Sequence, residues 1–222
     1  MKINEIIITE EHDVDEGVKD WVAAGALATG LALGGGNADA AKYTPQQPAA
    51  SVQPAKSVTG TEYERVLRQA ASLAGFEGAE LAAFLSQSAH ETMNFNTLKE
   101  IGGKLDFKKY DPRFAPAKAK ALGNIKPGDG ARYCGRGFIQ LTGRYNYKKA
   151  GVALGLPLEQ HPEMVENPQV AAKVAVWFWQ HRVQPKVNNY SDVQSVTKPI
   201  NPGLHGLPSR QEKFQTFRVA QK

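Results

Sequence analysis

A chain of 222 residues, 41% hydrophobic and 22% charged, is long enough to bury one sizeable core with appendages and too short for several large domains. Its one cysteine, Cys134, excludes an intramolecular disulfide framework and any cysteine-built zinc site. The formal charge of +5 is uneven: residues 1–20 set Lys2 and Lys19 against seven carboxylates, and the remaining +10 suits an anionic partner such as nucleic acid, a lipid surface or a bacterial wall, or serves solubility alone.

Residues 1–40 read as a leader or pro-segment. After the acidic opening, Trp21 to Ala38 carries no charge and runs into Ala38-Asp39-Ala40, the small-x-small pattern of a signal-peptidase site. The flank is acidic where a secretory leader is basic, and the Ala/Gly-rich stretch is weakly apolar, so no stable membrane span is expected. Residues 41–60, rich in Pro, Ala, Ser and Gln, read as an extended linker that Pro45 and Pro48 stiffen.

From Thr61 the periodicity becomes helical. Thr61 and Glu64 have capping-box spacing ahead of Val66, Leu67, Ala70 and Leu73, and Gly75 stops the run. A second helix is predicted from about Ala79 to Thr92, with Leu81, Phe84 and Leu85 inward. Asn167 before Pro168 predicts an N-cap that opens QVAAKVAVWFWQH, whose Trp177, Phe178 and Trp179 belong to the core rather than to a sugar platform. Ser191 is predicted to open a short helix with Val193, Val196 and Ile200, and Ser209 with Glu212 to cap a last one before Phe214 and Phe217. Strand-type alternation is scarce, so the expected fold is mainly α with a poorly structured N-terminal extension.

The stretch AHETMNFNTLKEIGG, residues 89–103, holds two glutamates on either side of a helix end. Glu91 follows Phe84 by seven residues, which at 100° per residue returns it to within about 20° of the apolar face. Partial desolvation there favours the neutral carboxyl, as a general acid requires. Glu100 lies past the helix, after a polar run and between Lys99 and Lys104, where a carboxylate stays ionised. Two carboxylates in unlike environments are what glycosidic bond hydrolysis uses, although many helical proteins carry glutamate pairs that are only surface charges.

A second stretch, RYCGRGFIQLTGRYNYKKAGVALGL (132–156), sets Gly135 and Gly137 around Arg136. Gln140, Thr142, Tyr145 and Asn146 then supply amide, hydroxyl and phenol groups suited to sugar hydroxyls and N-acetyl amides. No phosphate-loop motif is present. His161, His181 and His205 lack metal-ligand spacing, so no metal and no cofactor are expected. Cys134 reads as a small buried filler.

AHET with a second Glu nine residues after the first, then YCGRGFIQLTGRYNY, WFW and INPGLHGL in that order, resembles glycoside hydrolase family 19 over about residues 60–220. That family comprises plant and bacterial chitinases and the lysozyme-like endolysins of bacteriophages. The resemblance implies a two-lobed, lysozyme-like catalytic domain over 61–222 and an inverting mechanism. Glu91 would be the general acid and Glu100 the base, with Thr142 helping to hold the attacking water. Gln140, Tyr145, Asn146 and Asn201 would contact N-acetyl sugars. His90, beside the acid, is grouped with the substrate contacts, while a structural hydrogen bond to a neighbouring lobe is its other available role. Pro202, where a glycine is more usual, and Lys198-Pro199 depart from the family pattern beside Asn201.

The leading expectation is a muralytic, endolysin-like monomer that cuts the β-1,4 glycan of peptidoglycan. It would be made in the host cytoplasm and act at the bacterial wall or periplasm, with no nucleic-acid partner. The alternatives are a chitinase, which needs the same apparatus, and a non-catalytic wall-binding or virion module.

Overall fold

The computed structural model describes residues 60–220. The leader over 1–40 and, Gly60 apart, the linker over 41–60 lie outside the described residues. Eight α-helices follow: α1 (Gly60–Leu73), α2 (Gly78–Glu91), α3 (Pro116–Ala121), α4 (Asp129–Arg132), α5 (Arg144–Leu154), α6 (Pro168–Phe178), α7 (Val193–Thr197) and α8 (Leu207–Val219). Short 3-10 turns lie at Asp106–Tyr110, Pro162–Glu166 and Gln184–Lys186. The only β pairing among the described residues is two isolated bridges, Lys99 to Arg136 and Arg136 to Leu141.

Sequence chemistry accounts for most of these boundaries. Gly75 takes a left-handed φ of 82° just after α1 ends. Asn167 caps α6 as predicted, its Oδ1 accepting from the N–H groups of Gln169 and Val170 at 3.0 and 3.2 Å, and Pro168 supplies the preset φ of the first turn. Three caps differ from expectation. The first helix takes in Gly60, so Thr61 lies inside it. Asp192 rather than Ser191 caps α7, its Oδ1 accepting from Gln194 and Ser195 N–H at 3.1 and 3.2 Å. The last helix begins at Leu207, because Pro208 suits a first turn and Gly206 supplies the left-handed residue before it; Ser209 is therefore helical and caps nothing.

A large core draws on α1, α2, α5, α6, α7 and α8. Trp179 lies at its centre, wholly enclosed, with its ring edge-on to Phe84 at 5.2 Å and its indole N–H donating to Glu80 at 2.9 Å. Trp177 and Phe178 are buried with it. A second, smaller core gathers Phe107, Tyr110, Leu122 and Cys134, so the sole cysteine is indeed a filler, and burial pushes its thiol up into the neutral form. Two unequal hydrophobic centres give the two-lobed, lysozyme-like architecture. The end of α2 belongs to the large core, and the segment after Glu100 to the small one.

Candidate active site

Glu91 is the last residue of α2, and 2% of its surface is exposed. The chain leaves the helix through Met93, Asn94 and Phe95, all left-handed, with φ of 53°, 59° and 61°. Three successive non-glycine residues in that region are strained, and such strain persists only where surrounding contacts over-determine it. Thr92 supplies two of them, its hydroxyl donating to Ser88 O at 2.7 Å and accepting from Phe95 N–H at 3.0 Å. Phe95 supplies a third by packing against Phe138 and Phe217. The carboxyl is thus held at a helix end that cannot fray.

Arg210, on α8, meets Glu91 inside the protein. Its side chain is wholly buried; one terminal nitrogen donates to Glu91 Oε1 at 2.5 Å and the other to Gln87 Oε1 at 2.6 Å. Gln87 passes the network on to Thr197 Oγ1 at 3.2 Å. Burial pushes the Glu91 carboxyl above its ordinary value, and the Arg210 guanidinium opposes that shift without cancelling it. Oε2 has no hydrogen-bond partner among the described residues, which leaves it as the oxygen able to carry and deliver a proton. His90, the neighbour of the acid, also meets α8. Its Nδ1 lies 3.1 Å from Ser209 Oγ on α8, and burial, with Arg210 and Lys213 nearby, depresses the ring to about 4. It is a neutral bridge between α2 and α8 in the absence of substrate.

Glu100 is 6% exposed, buried despite the polar sequence around it. Its N–H donates to Gly135 O at 2.8 Å, and Gly135 N–H returns a bond to Oε2 at 3.0 Å. Oε1 accepts from Lys109 Nζ at 2.8 Å and from the Tyr110 hydroxyl at 3.1 Å. Burial first, and the Glu100 charge second, push the Tyr110 phenol far up, so it remains a donor. The chain neighbour Lys99 turns elsewhere. Lys99 pairs with Glu166 at 2.8 Å, because adjacent residues of an extended segment point to opposite sides. A Cβ on Gly135 would lie 2.8 Å from Gln140 Oε1 and 3.2 Å from Glu100 Oε2, so a larger residue there would displace the Gln140 amide and press on the carboxylate. Arg136 secures this strap through Glu166 at 2.8 Å, Tyr147 at 3.1 Å and the Arg132 carbonyl at 2.9 Å.

Of the remaining predicted residues, Gln140, Thr142 and Asn146 form a hydrogen-bonded chain, and Asn201 and Tyr145 make separate contacts. Gln140, left-handed at φ 50°, donates to Gly137 O at 3.1 Å and leaves a buried Oε1 without a partner. Thr142 donates to Gln140 O at 2.9 Å, and Asn146 donates to Thr142 O at 2.6 Å while its own Oδ1 has none. Asn201 accepts from Gly203 N–H at 3.1 Å and leaves Nδ2 unmatched. Tyr145 is half-buried at the start of α5. An unmatched buried polar atom costs about 1–3 kcal/mol, and the same deficit occurs at Ser88, Gln180 and Arg182, which have no assigned sugar contact. Among the described residues, no cluster of three His, Cys, Asp or Glu side chains could hold a metal, and no helix is long and apolar enough to cross a membrane.

Sequence reasoning missed Arg210, Lys109 and Tyr110. Arg210 did leave a signal, since it stands four and seven residues before Phe214 and Phe217 and so shares their inward stripe. The Lys109 and Tyr110 contacts depend on how the 101–108 loop folds back, and no local pattern encodes that.

Comparison with known proteins identifies the family and fold. A family model described as chitinase class I matches residues 55–202. A glycosyl hydrolase family 19 domain-containing protein of Haemophilus influenzae is 34% identical over 160 residues, covering 62% of this chain and 78% of its own. An Arabidopsis thaliana endochitinase is 36% identical over 139 residues, which cover 60% of this chain; the chain spans only 44% of that plant protein. The crystal structure of chitinase C from Streptomyces griseus superimposes with a TM-score of 0.54 at 26% identity, over 77% of this chain and 95% of that one. The expectation of a peptidoglycan-cleaving, bacteriophage endolysin-like enzyme is overturned by these likenesses, whose named activities are those of plant and bacterial chitinases. A catalytically decayed module is set aside with it, both carboxylates being present within a hydrolase family and fold. The matched region takes in Glu91, Glu100, the Gly135–Thr142 strap and Asn201, and the chain belongs to glycoside hydrolase family 19.

Proposed function

We propose that this glycoside hydrolase cleaves the β-1,4 bonds of chitin by a single displacement with inversion. The observation that carries the reading is the opposite treatment of two buried carboxyls. Glu91 is pushed toward its neutral form by burial, whereas Glu100 is met by an ammonium, a phenol and a backbone N–H, all of them donors to a carboxylate. Glu91 Oε2 gives its proton to the leaving glycosidic oxygen. Water, deprotonated by Glu100, attacks the anomeric carbon from the other face, with Thr142 Oγ as a further contact for that water. Gln140, Tyr145, Asn146 and Asn201 supply the amide and phenol groups that would read N-acetyl and hydroxyl substituents. The printed activities of the relatives favour chitin as the polymer.

Digestion of colloidal chitin and of soluble N-acetylglucosamine oligomers tests this directly. The expected result is soluble oligomer release, with the α-anomer appearing first by proton NMR before mutarotation. A β-anomer as first product would replace inversion with retention. Absence of release from either substrate, by protein whose fold is verified, would end the chitinase reading.

A further inference from the structure

Gln87 lies one turn before Glu91 on α2 and is as deeply buried as the acid. Its hydrogen bonds have one possible polarity. A guanidinium can only donate, so Gln87 Oε1 is the atom that meets Arg210, at 2.6 Å, and Nε2 is left to donate to Thr197 Oγ1 at 3.2 Å. The Thr197 hydroxyl, accepting there, gives its own proton to Val193 O at 2.7 Å within α7. Arg210 is thereby engaged at all three nitrogens. Nε donates to His205 O at 3.3 Å, one terminal nitrogen to Gln87, and the other to Glu91 Oε1 at 2.5 Å. A guanidinium facing a carboxylate can take both oxygens through two parallel bonds. Here the second prong goes to an amide instead, and Glu91 Oε2 accepts no hydrogen bond among the described residues.

We propose that Gln87 is the positioning residue of the acid: by holding one terminal nitrogen of Arg210, it confines the guanidinium to a single bond with Glu91 and leaves Oε2 to carry and deliver the proton. This deepens the reading of Glu91 as the general acid and rests on it. A carboxyl gripped by both prongs would be stabilised in its ionised form before any substrate arrived, and so would have no proton to give. In the acid step the bond from the anomeric carbon to the leaving oxygen breaks as the proton on Oε2 passes to that oxygen. Water, deprotonated by Glu100, bonds to the carbon. Glu91 becomes a carboxylate, and Arg210, still bonded to Oε1, is its counter-charge. Gln87 suits this division because it accepts from the cation without bringing a charge of its own. Few other charges bear on the acid. Arg210 faces it from α8, where Lys213 follows; His90 is neutral and bonded to Ser209; and α7 presents the uncharged Thr197, its neighbour Lys198 being exposed.

The test compares the full-length protein with Gln87→Met, Gln87→Asn and Gln87→Glu. Methionine fills the space of the glutamine without offering an acceptor. Asparagine, one methylene shorter, cannot span Arg210 and Thr197, and it serves where the apolar replacement does not fold. Both changes free the second prong to close on Oε2. In kcat/KM profiles on N-acetylglucosamine hexamer, each should move the alkaline limb down by roughly one pH unit, with KM changed only a few-fold. Gln87→Glu keeps an acceptor on Arg210 and adds a negative charge beside the acid, so it should move the limb the other way. A merely structural glutamine would lower the rate equally at every pH in all three variants, and that pattern overturns the proposal. Independently of turnover, 13C NMR of the Glu91 carboxyl should show a lower titration midpoint in Gln87→Met or Gln87→Asn than in the wild type. An equal or higher midpoint would also overturn it. A lowered midpoint in a series whose wild type hydrolyses no chitin oligomer would uphold the division of the guanidinium while refuting the function assigned to the acid.

Discussion

Arg210 donates a hydrogen bond to Glu91 with neither side chain open to solvent, and the acid of the site is thereby tied to the C-terminal helix. The guanidinium opposes the upward push of burial, so it sets how readily Glu91 gives up its proton. A general acid works only while protonated, and the alkaline limb of the rate profile follows its ionisation. Arg210→Met removes the opposing cation and should carry that limb to higher pH. The same variant should lose about 3–5 kcal/mol of stability to urea at pH above the limb, where Glu91 would be charged and unpaired. Protonation relieves that cost at lower pH. Arg210→Lys, which keeps the charge without the fork that also binds Gln87, should leave the limb near the wild-type position. An alkaline limb unmoved in a folded Arg210→Met protein would exclude Glu91 as the acid.

The two carboxylates should respond differently to removal. Glu91→Gln preserves size and the bond to Arg210 but has no proton to give, and a loss of roughly 10²–10⁴-fold in kcat is expected with folding intact. Glu100→Ala takes away the base, leaving a space beside Gly135 and Tyr110 that a small anion could fill. Azide should restore turnover there and yield the α-glycosyl azide. Azide should give no comparable rescue of Glu91→Gln, because the leaving oxygen would still lack its proton. Rescue of the first variant instead of the second would exchange the two roles.

Much of this site was legible in the sequence because its determinants are local. Glu91 shares the face of Phe84 through helix periodicity alone, and the Asn167-Pro168 cap and the apolar WFW run needed only nearest neighbours. What escaped was set by distance along the chain. The polar run around Glu100 carries no local sign of its burial, yet the 132–142 strap and the 3-10 turn close over it. The short α5 was also missed, since its Arg144–Leu154 sequence mixes charged, aromatic and glycine positions and its amphipathic character is weak. Ser209 and Glu212 have the spacing of a capping box, but Pro208 outweighs it by fixing where the helix starts.

His90 offers a stability experiment that does not depend on catalysis. Its folded-state value of about 4 lies below the ordinary 6.5, so between those two pH values the unfolded chain binds more protons than the native one. The stability attached to the neutral ring is therefore fully present above about pH 6.5 and is lost progressively as pH falls toward 4. Glu91 acts in the opposite sense, its raised value making the native state less stable as pH climbs past the ordinary carboxyl range. The difference between wild type and His90→Gln isolates the histidine, because the amide still reaches Ser209 but does not titrate. Urea melts from pH 7.5 to 4 should show the wild type losing ground to the variant on the acid side. A difference constant across that range would mean that the ring titrates normally.

Gly206 is the tightest point of the junction between the acid-bearing helix and α8. Its φ of 73° is left-handed, and a Cβ there would collide with the His90 ring, so backbone strain and steric overlap act at one position. Gly206→Ala should destabilise the protein by about 2–4 kcal/mol, combining a left-handed alanine with overpacking. The ring cannot simply swing aside, because its Nδ1 is fixed by Ser209 and the residue before α8 must keep its turn for Arg210 to reach Glu91. Any relief therefore displaces Arg210, and activity should fall in the folded fraction as well. His90→Ala removes the collision but not the φ penalty. The double variant His90→Ala/Gly206→Ala should consequently be less destabilised than the sum of the two single changes, by about 1–3 kcal/mol. Strict additivity in urea melts would mean that His90 and Gly206 are not in contact.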